Sequence, residues 1–159
     1  MGELILMRHA QATPAATDGD DFSRPLTTQG RLDATAAAQR LSAARVPIRR
    51  IILSPARRTV ETAALVAAVF KLDDTQQHEV SELYLATPAA LRVAAQRFVS
   101  EHHLKSESSE ASFGVVRPGA LLIIGHNPGL SEFGGELERN LRDQHLPTAG
   151  FWRVPFDVR

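Results

Sequence analysis

Short apolar runs alternate with amphipathic stretches along this chain. Leu4-Ile5-Leu6-Met7 is a continuous run, suited to a strand buried on both faces of a parallel sheet. Arg50-Ile51-Ile52-Leu53 is a second run, and Ala120-Leu121-Leu122-Ile123-Ile124 is a third and the strongest. Weaker strand candidates lie near His78–Ser81 and over Phe151–Phe156. Helical periodicity falls between them. Leu32, Ala36, Ala37 and Leu41 form a stripe after Thr28, a residue suited to an N-cap. Val60, Ala63, Ala64, Ala67 and Ala68 share one helix face, as do Leu91, Ala94, Ala95, Phe98 and Val99. A fourth helix is predicted over about Gly129–Arg142.

Strands alternating with helices predict an α/β fold: three layers, with a mostly parallel central sheet and helices on both faces. There is no internal repeat and no dividing linker, so residues 1–159 read as a single domain. Two segments read as irregular. Gln11–Arg24 has the Pro, Gly and Asp content of a surface loop. Lys105–Gly119 is rich in Ser and Glu and reads as a mobile insertion.

Charge removes some function classes. Lys+Arg and Asp+Glu are both 18, for a formal net charge of zero. That argues against a general electrostatic grip on nucleic acid or an anionic membrane. With no cysteine, disulfides, thiolate metal sites and cysteine nucleophiles are absent. The apolar run at the N-terminus is too short for a membrane span and lacks the pattern of a signal peptide, so the cytoplasm is the expected location.

The chemistry gathers at predicted strand ends. The first strand finishes in Arg8-His9, the second in Ser54-Pro55-Ala56-Arg57-Arg58, and the late one in Gly125-His126-Asn127-Pro128. In open α/β sheets ligands bind beyond the carboxyl ends of the strands. Parallel strands would bring two imidazoles and at least two guanidiniums around one cavity, with no carboxylate cluster among them. Such a pocket suits a tetrahedral anion. Arginine offers forked donors to phosphate oxygens, a neutral imidazole can attack phosphorus, and a second can donate to the developing charge. A metal fits less well, because arginines repel cations and no acidic or sulfur ligand is adjacent in sequence. Ser54 reads as the N-cap and Pro55 as N1 of the following helix, which puts Arg58 near the end of its first turn. A cation there opposes the helix dipole unless an anion binds beside it. Only one of Arg57 and Arg58 is expected to face the pocket directly, being about 100° apart around the helix.

These motifs resemble those of the histidine phosphatase superfamily, phosphoglycerate mutase-like in fold. Leu6-Met7-Arg8-His9-Ala10 is similar to its Arg-His-Gly signature, with alanine in the glycine position. Ser54-Pro55-Ala56-Arg57-Arg58-Thr59-Val60-Glu61-Thr62-Ala63 resembles its Ser-Pro-x-x-Arg motif, an alignment that selects Arg58. Ile124-Gly125-His126-Asn127-Pro128 looks like the segment carrying the second histidine. Arg24-Pro25-Leu26-Thr27 with Gly30 resembles the opening of the first long helix in SixA-type members. The resemblance runs from about Leu4 to Phe156.

It implies that His9 becomes phosphorylated while Arg8, Arg58 and His126 hold the phosphoryl group, with no metal and no cofactor. Arg24 and Ser54 are candidate substrate contacts, Arg24 being equally open to a solvated loop role. Ala10 would tighten the turn only slightly if glycine is favoured there. The pair Asp20 and Asp21 with Asp18 reads as a solvated loop, and His78, His102, His103 and His145 as surface residues.

Glu82 lies roughly where mutase-like relatives carry a glutamate general acid. Such an acid matters when the leaving group is an alkoxide. Imidazole, with a pKa near 6.5, can depart as a neutral molecule without one. The chain is short for this superfamily, and an open pocket would suit phosphate on a protein surface. The expected activity is therefore removal of phosphate from phosphohistidine on a signalling or phosphotransfer protein, by a monomer. The alternatives are a phosphomonoesterase or mutase acting on a small metabolite, or an idle phosphate-binding module.

Overall fold

The computed structural model describes residues 2–15, 19–102 and 119–157. Its elements run β1 (Gly2–Arg8), α1 (Thr28–Ala43), β2 (Ile48–Leu53), α2 (Arg57–Phe70), β3 (Gln77–Glu79), α3 (Pro88–Glu101), β4 (Ala120–Gly125), α4 (Gly129–Leu137) and β5 (Phe151–Phe156). Short 3₁₀ turns lie at Asp74–Gln76, Ser81–Leu83 and Arg139–Leu141. The strands form one sheet in the order β3-β2-β4-β1-β5, parallel throughout except for β5.

Period-two alternation along the strands divides the apolar side chains between two cores. Ile5, Met7, Ile51, Leu53, Leu122 and Ile124 face the side covered by α1 and α2. Leu4, Leu6, Ile52, Leu121 and Ile123 face the side covered by α3 and α4. β1 and β4 are therefore apolar on both faces, which is why their sequences read as unbroken runs. Truncating Leu6 to alanine would cost about 2–5 kcal/mol.

The helices start where local chemistry allows. Thr27, one residue before the expected cap, accepts the Gly30 N–H at 2.9 Å and opens α1. Gly30 is obligatory there, because a Cβ would collide with the Gln11 carbonyl. Thr87 caps α3 in the same way, with Pro88 at the first position.

Two expectations need adjustment here, and a third falls outside the described residues. α2 begins at Arg57 with Ala56 as its N-cap and no side-chain cap, so Ser54 is not the N-cap. Its hydroxyl is engaged by His126 instead, and Arg58 falls in the first turn itself. α4 stops at Leu137, because Glu138 adopts an extended conformation before the final 3₁₀ turn. Of the Ser- and Glu-rich segment Lys105–Gly119, all but Gly119 lies outside the described residues, as do His103 and Asp18.

Candidate active site

Three parallel strands end side by side, and their register sets the site. Arg8 pairs with Gly125 across β1 and β4, and Leu53 pairs with Ile124 across β2 and β4. The ladder continues one step further. His9 donates its N–H to the Gly125 carbonyl at 3.1 Å, and Ser54 donates to that of Ile124 at 3.2 Å. His9, Ser54 and His126 are consequently the first residues beyond three adjacent strands. The His9 carbonyl accepts from Ala149, and Arg8 donates its N–H to Gly150, which fixes the His9 backbone on its other side.

The hydrogen bonds specify the imidazole tautomers. His9 Nδ1 donates to the Ala10 carbonyl at 2.7 Å, which leaves the lone pair on Nε2. That nitrogen accepts from Arg58 Nε at 3.3 Å. His126 Nδ1 accepts from Arg58 Nη2 at 3.2 Å, so His126 Nε2 carries the proton and donates it to Ser54 Oγ at 2.7 Å. The two rings lie 5.4 Å apart.

Burial pushes the His9 imidazole down to about 4, helped by the Arg58 charge and opposed by the bond to Ala10. Burial, then Arg58, pushes His126 down to about 3. Both rings are neutral at pH 7, the state a nucleophilic nitrogen requires.

The arginines converge as well. Arg58 is only 1% exposed, and it reaches both imidazoles from the first turn of α2. Thr62 ties this helix to the segment that follows His9. Its Oγ accepts the Ala10 N–H at 3.1 Å and donates to the Arg58 carbonyl at 2.7 Å. Ala10 is fully buried and is not among the residues with positive φ, so no backbone strain arises from alanine in the glycine position. Arg8 Nη1 reaches the Leu146 carbonyl and His145. Its Nε is buried and, among the described residues, is the side-chain nitrogen left without a hydrogen-bond partner. An orphaned buried donor on the residue that precedes His9 marks a place for an acceptor from outside the chain.

The mouth of the site holds residues that sequence reasoning missed. Asp21 is an exposed loop residue, but its carboxylate is bound into the site. Its Oδ2 lies 2.9 Å from Arg58 Nη2 and accepts from the Tyr84 hydroxyl at 2.7 Å, and its main-chain carbonyl accepts from Arg58 Nη1 at 2.7 Å. Arg24 Nε donates to Asp21 Oδ1 at 3.0 Å. The Tyr84 hydroxyl, with help from Arg58 and against the effect of burial, holds the Asp21 carboxyl down to about 2. Among the described residues a single carboxylate, not a cluster, thus accompanies the arginines of the site.

Tyr84 stands edge-on to His126 at 5.5 Å and to Phe22 at 5.2 Å. It is the chain's one tyrosine, just after the third strand, and that rarity was the available signal. His145, read as a surface residue, lies within 3.4 Å of Arg8 and 3.3 Å of Asn127. Glu82 is exposed on the 3₁₀ turn after β3 and makes none of the site's hydrogen bonds. Among the described residues no group of three or more His, Cys, Asp or Glu side chains is placed to hold a metal ion. A groove of about 540 Å³ adjoins the site at His145 and runs past Ser131, Glu132, Glu136 and Gln144.

The arrangement offers a neutral nucleophilic nitrogen, a forked cation against it and an unfilled donor, which together can accept a phosphoryl group. The model of the histidine phosphatase superfamily (branch 1) matches residues 4–110. Among solved structures, the chain is similar to the protein histidine phosphatase SixA complexed with tungstate, at 23% identity and TM-score 0.78, covering 98% of this chain and 89% of that one. It is similar to the SixA protein of Nakamurella multipartitia, at 27% identity and TM-score 0.67 over 96% and 83%. It is also similar to a mycobacterial glucosyl-3-phosphoglycerate phosphatase, at 15% identity and TM-score 0.68 over 96% and 89%. No curated protein matches the chain.

Proposed function

Because the chain belongs to the histidine phosphatase superfamily, we propose that it hydrolyses phosphate from phosphohistidine on a signalling or phosphotransfer protein, through a phosphohistidine intermediate on His9. The observation that carries this reading is the His9 tautomer: Nδ1 is tied to the Ala10 carbonyl, and the free Nε2 faces Arg58. In-line attack by Nε2 forms the new N–P bond as the substrate's own P–N bond breaks, and the electron pair returns to the substrate ring, which leaves as neutral imidazole. Arg58 and Arg8 hold the phosphoryl oxygens, Arg8 through the Nε that lacks a partner. A phosphoryl dianion entering the site counteracts the effects that depress the His126 pKa. His126 can then take a proton at Nδ1 and donate it to a phosphoryl oxygen. Water next attacks phospho-His9, and the ring leaves as neutral imidazole with its proton still on Nδ1.

The chemistry asks for no metal and no cofactor. Residues 1–159 are read as one catalytic domain, since both cores rest on the same sheet. The groove at His145 gives a protein substrate a surface to lie along. Among the described residues no helix is long and apolar enough to cross a membrane. The reading assigns the enzyme to the cytoplasm, as a monomer, with neither nucleic acid nor membrane as partner.

Labelled phosphohistidine protein, rapidly quenched, should leave acid-labile, base-stable phosphate on the wild type and none on His9→Ala. Label persisting on the variant at wild-type level removes His9 from its role. Turnover of a phosphoserine ester as fast as that of phosphohistidine would make the small-metabolite reading the better one.

A further inference from the structure

We propose that Asp21, braced by Tyr84 and flanked by Phe22, is the leaving-group site, where it receives the protonated ring of an N-phosphorylated substrate and selects against substrates that leave as anions. The proposal rests on the phosphatase reading and adds the class of leaving group to it.

Transfer between two imidazoles is symmetric. His9 is neutral, with a proton on Nδ1 and a lone pair on Nε2. When Nε2 attacks phosphorus, the new N–P bond leaves His9 as a phosphoimidazolium, its distal proton held by the Ala10 carbonyl. The substrate must do the reverse. Its phosphoimidazolium ring carries a distal N–H, the P–N bond breaks, and the electron pair returns to the ring nitrogen. The product is neutral imidazole that keeps the distal proton. Charge and protons balance between the two rings. The incoming ring therefore needs an acceptor for its distal N–H, as the outgoing charge on His9 has one in Ala10.

Asp21 fits that need by position and by capacity. His9 is 7% exposed and Arg58 1%, so the attacking nitrogen lies on the floor and the leaving group departs toward solvent. The Asp21 side chain is 46% exposed, at the open side of Arg58. A carboxylate has about four acceptor positions. Among the described residues three are taken, by Arg58, Tyr84 and Arg24, which leaves one on a side chain that is half open to solvent. Phe22, 41% exposed, and the edge-on Tyr84 provide an apolar wall of ring size beside it.

A fixed carboxylate against the phosphoryl-binding arginine is also a repulsive element. It disfavours every phosphate dianion, and only a cationic leaving group gains back an attraction. Held at about 2, Asp21 is an anion at neutral pH and supplies no proton to an alkoxide or phenolate. Imidazolium, and by the same chemistry a phosphorylated ammonium or guanidinium, is favoured.

The test compares N-phosphoimidazole with p-nitrophenyl phosphate, whose leaving group develops negative charge. Asp21→Asn should lower the ratio of kcat/KM for N-phosphoimidazole to that for p-nitrophenyl phosphate by about 10- to 100-fold, the worth of one charge-assisted hydrogen bond. The same variant should bind tungstate more tightly than the wild type, because a repulsive charge is gone. A residue that merely positions Arg58 would give the opposite sign, with weaker tungstate binding and equal losses on both substrates. An unchanged ratio, or weakened tungstate binding, overturns the proposal. Should Asp21→Asn fail to fold by circular dichroism, Tyr84→Phe carries the same measurement, with a smaller fall in the ratio expected and no change refuting it. A wild type that turns over neither compound and forms no phospho-His9 would instead defeat the phosphatase reading itself, and this proposal with it.

Discussion

At the floor of the site, the two histidines take their places from the main chain. His9 and His126 are each the next residue after a central strand, and carbonyls or a serine hydroxyl fix their protons. At the mouth, the Asp21 carboxylate is held by side chains from three separate segments, those of Arg24, Arg58 and Tyr84. The floor is buried and its imidazoles are neutral; the mouth is half-exposed and charged. Chemistry that any phosphoryl group would share is assigned to the first, and choice among substrates to the second. Arg58 hydrogen-bonds to both, which makes it the sharpest place to probe the contrast.

The largest effect is expected there. Arg58→Lys keeps the charge but loses the fork that spans His9, His126 and Asp21. We expect kcat/KM to fall by about 10²–10³-fold on any substrate, comparable to losing one oxyanion donor. A lysine variant within a few-fold of wild type would mean that floor and mouth are not joined through this guanidinium.

A smaller effect concerns pH. Folded His9 and His126 have depressed pKa values, about 4 and about 3, against 6.5 for the ordinary side chain. Below pH 6.5 the unfolded chain takes up protons that the folded floor refuses. The stability these two groups contribute is therefore present above that pH and declines as the medium is acidified toward the folded values. Replacing His126 by glutamine should make the fall of Tm between pH 6.5 and pH 4 shallower than in the wild type. Curves of equal slope would show that the floor is not the acid-sensitive part.

The smallest effect is expected at Glu82, which the structure leaves outside both regions. Glu82→Gln, or treatment with EDTA, should each change phosphohistidine turnover by no more than about twofold, well below the 10²–10⁴-fold of a working general acid. A large loss in Glu82→Gln would move the mouth's chemistry to that residue, and recovery of lost activity on adding a divalent ion would bring a metal into the mechanism.

The two regions also differ in how far they can be read from sequence. Leu4–Met7 and Ala120–Ile124 are apolar on both faces of a covered sheet, so their runs and the polar residues just after them stand out. Arg8, His9 and His126 follow directly; the helix start leaves Arg57 and Arg58 open, and the resemblance of the Ser-Pro-x-x-Arg motif selects Arg58. The mouth offers no periodicity. Asp21 meets Arg58 across 37 positions and Tyr84 across 63, contacts made by loop folding alone, and its aspartate neighbours made it look solvated. Arg8 and His145 meet across 137 positions. The Ser54 cap failed for a related reason. A Ser-Pro pair reads as a helix start, but the hydroxyl found a better partner in His126, 72 residues away.

The place of β1 in the sheet governs how the protein comes into being. It is made before both of its neighbours, β4 and β5. The backbone partners of Arg8 and His9, at Gly125, Ala149 and Gly150, leave the ribosome more than a hundred residues after them. A nascent chain thus carries His9 long before the backbone that seats it. Through that interval the Leu4–Met7 strand lacks the partners it has in the finished sheet. Contacts of such sequence separation are the slow kind to close.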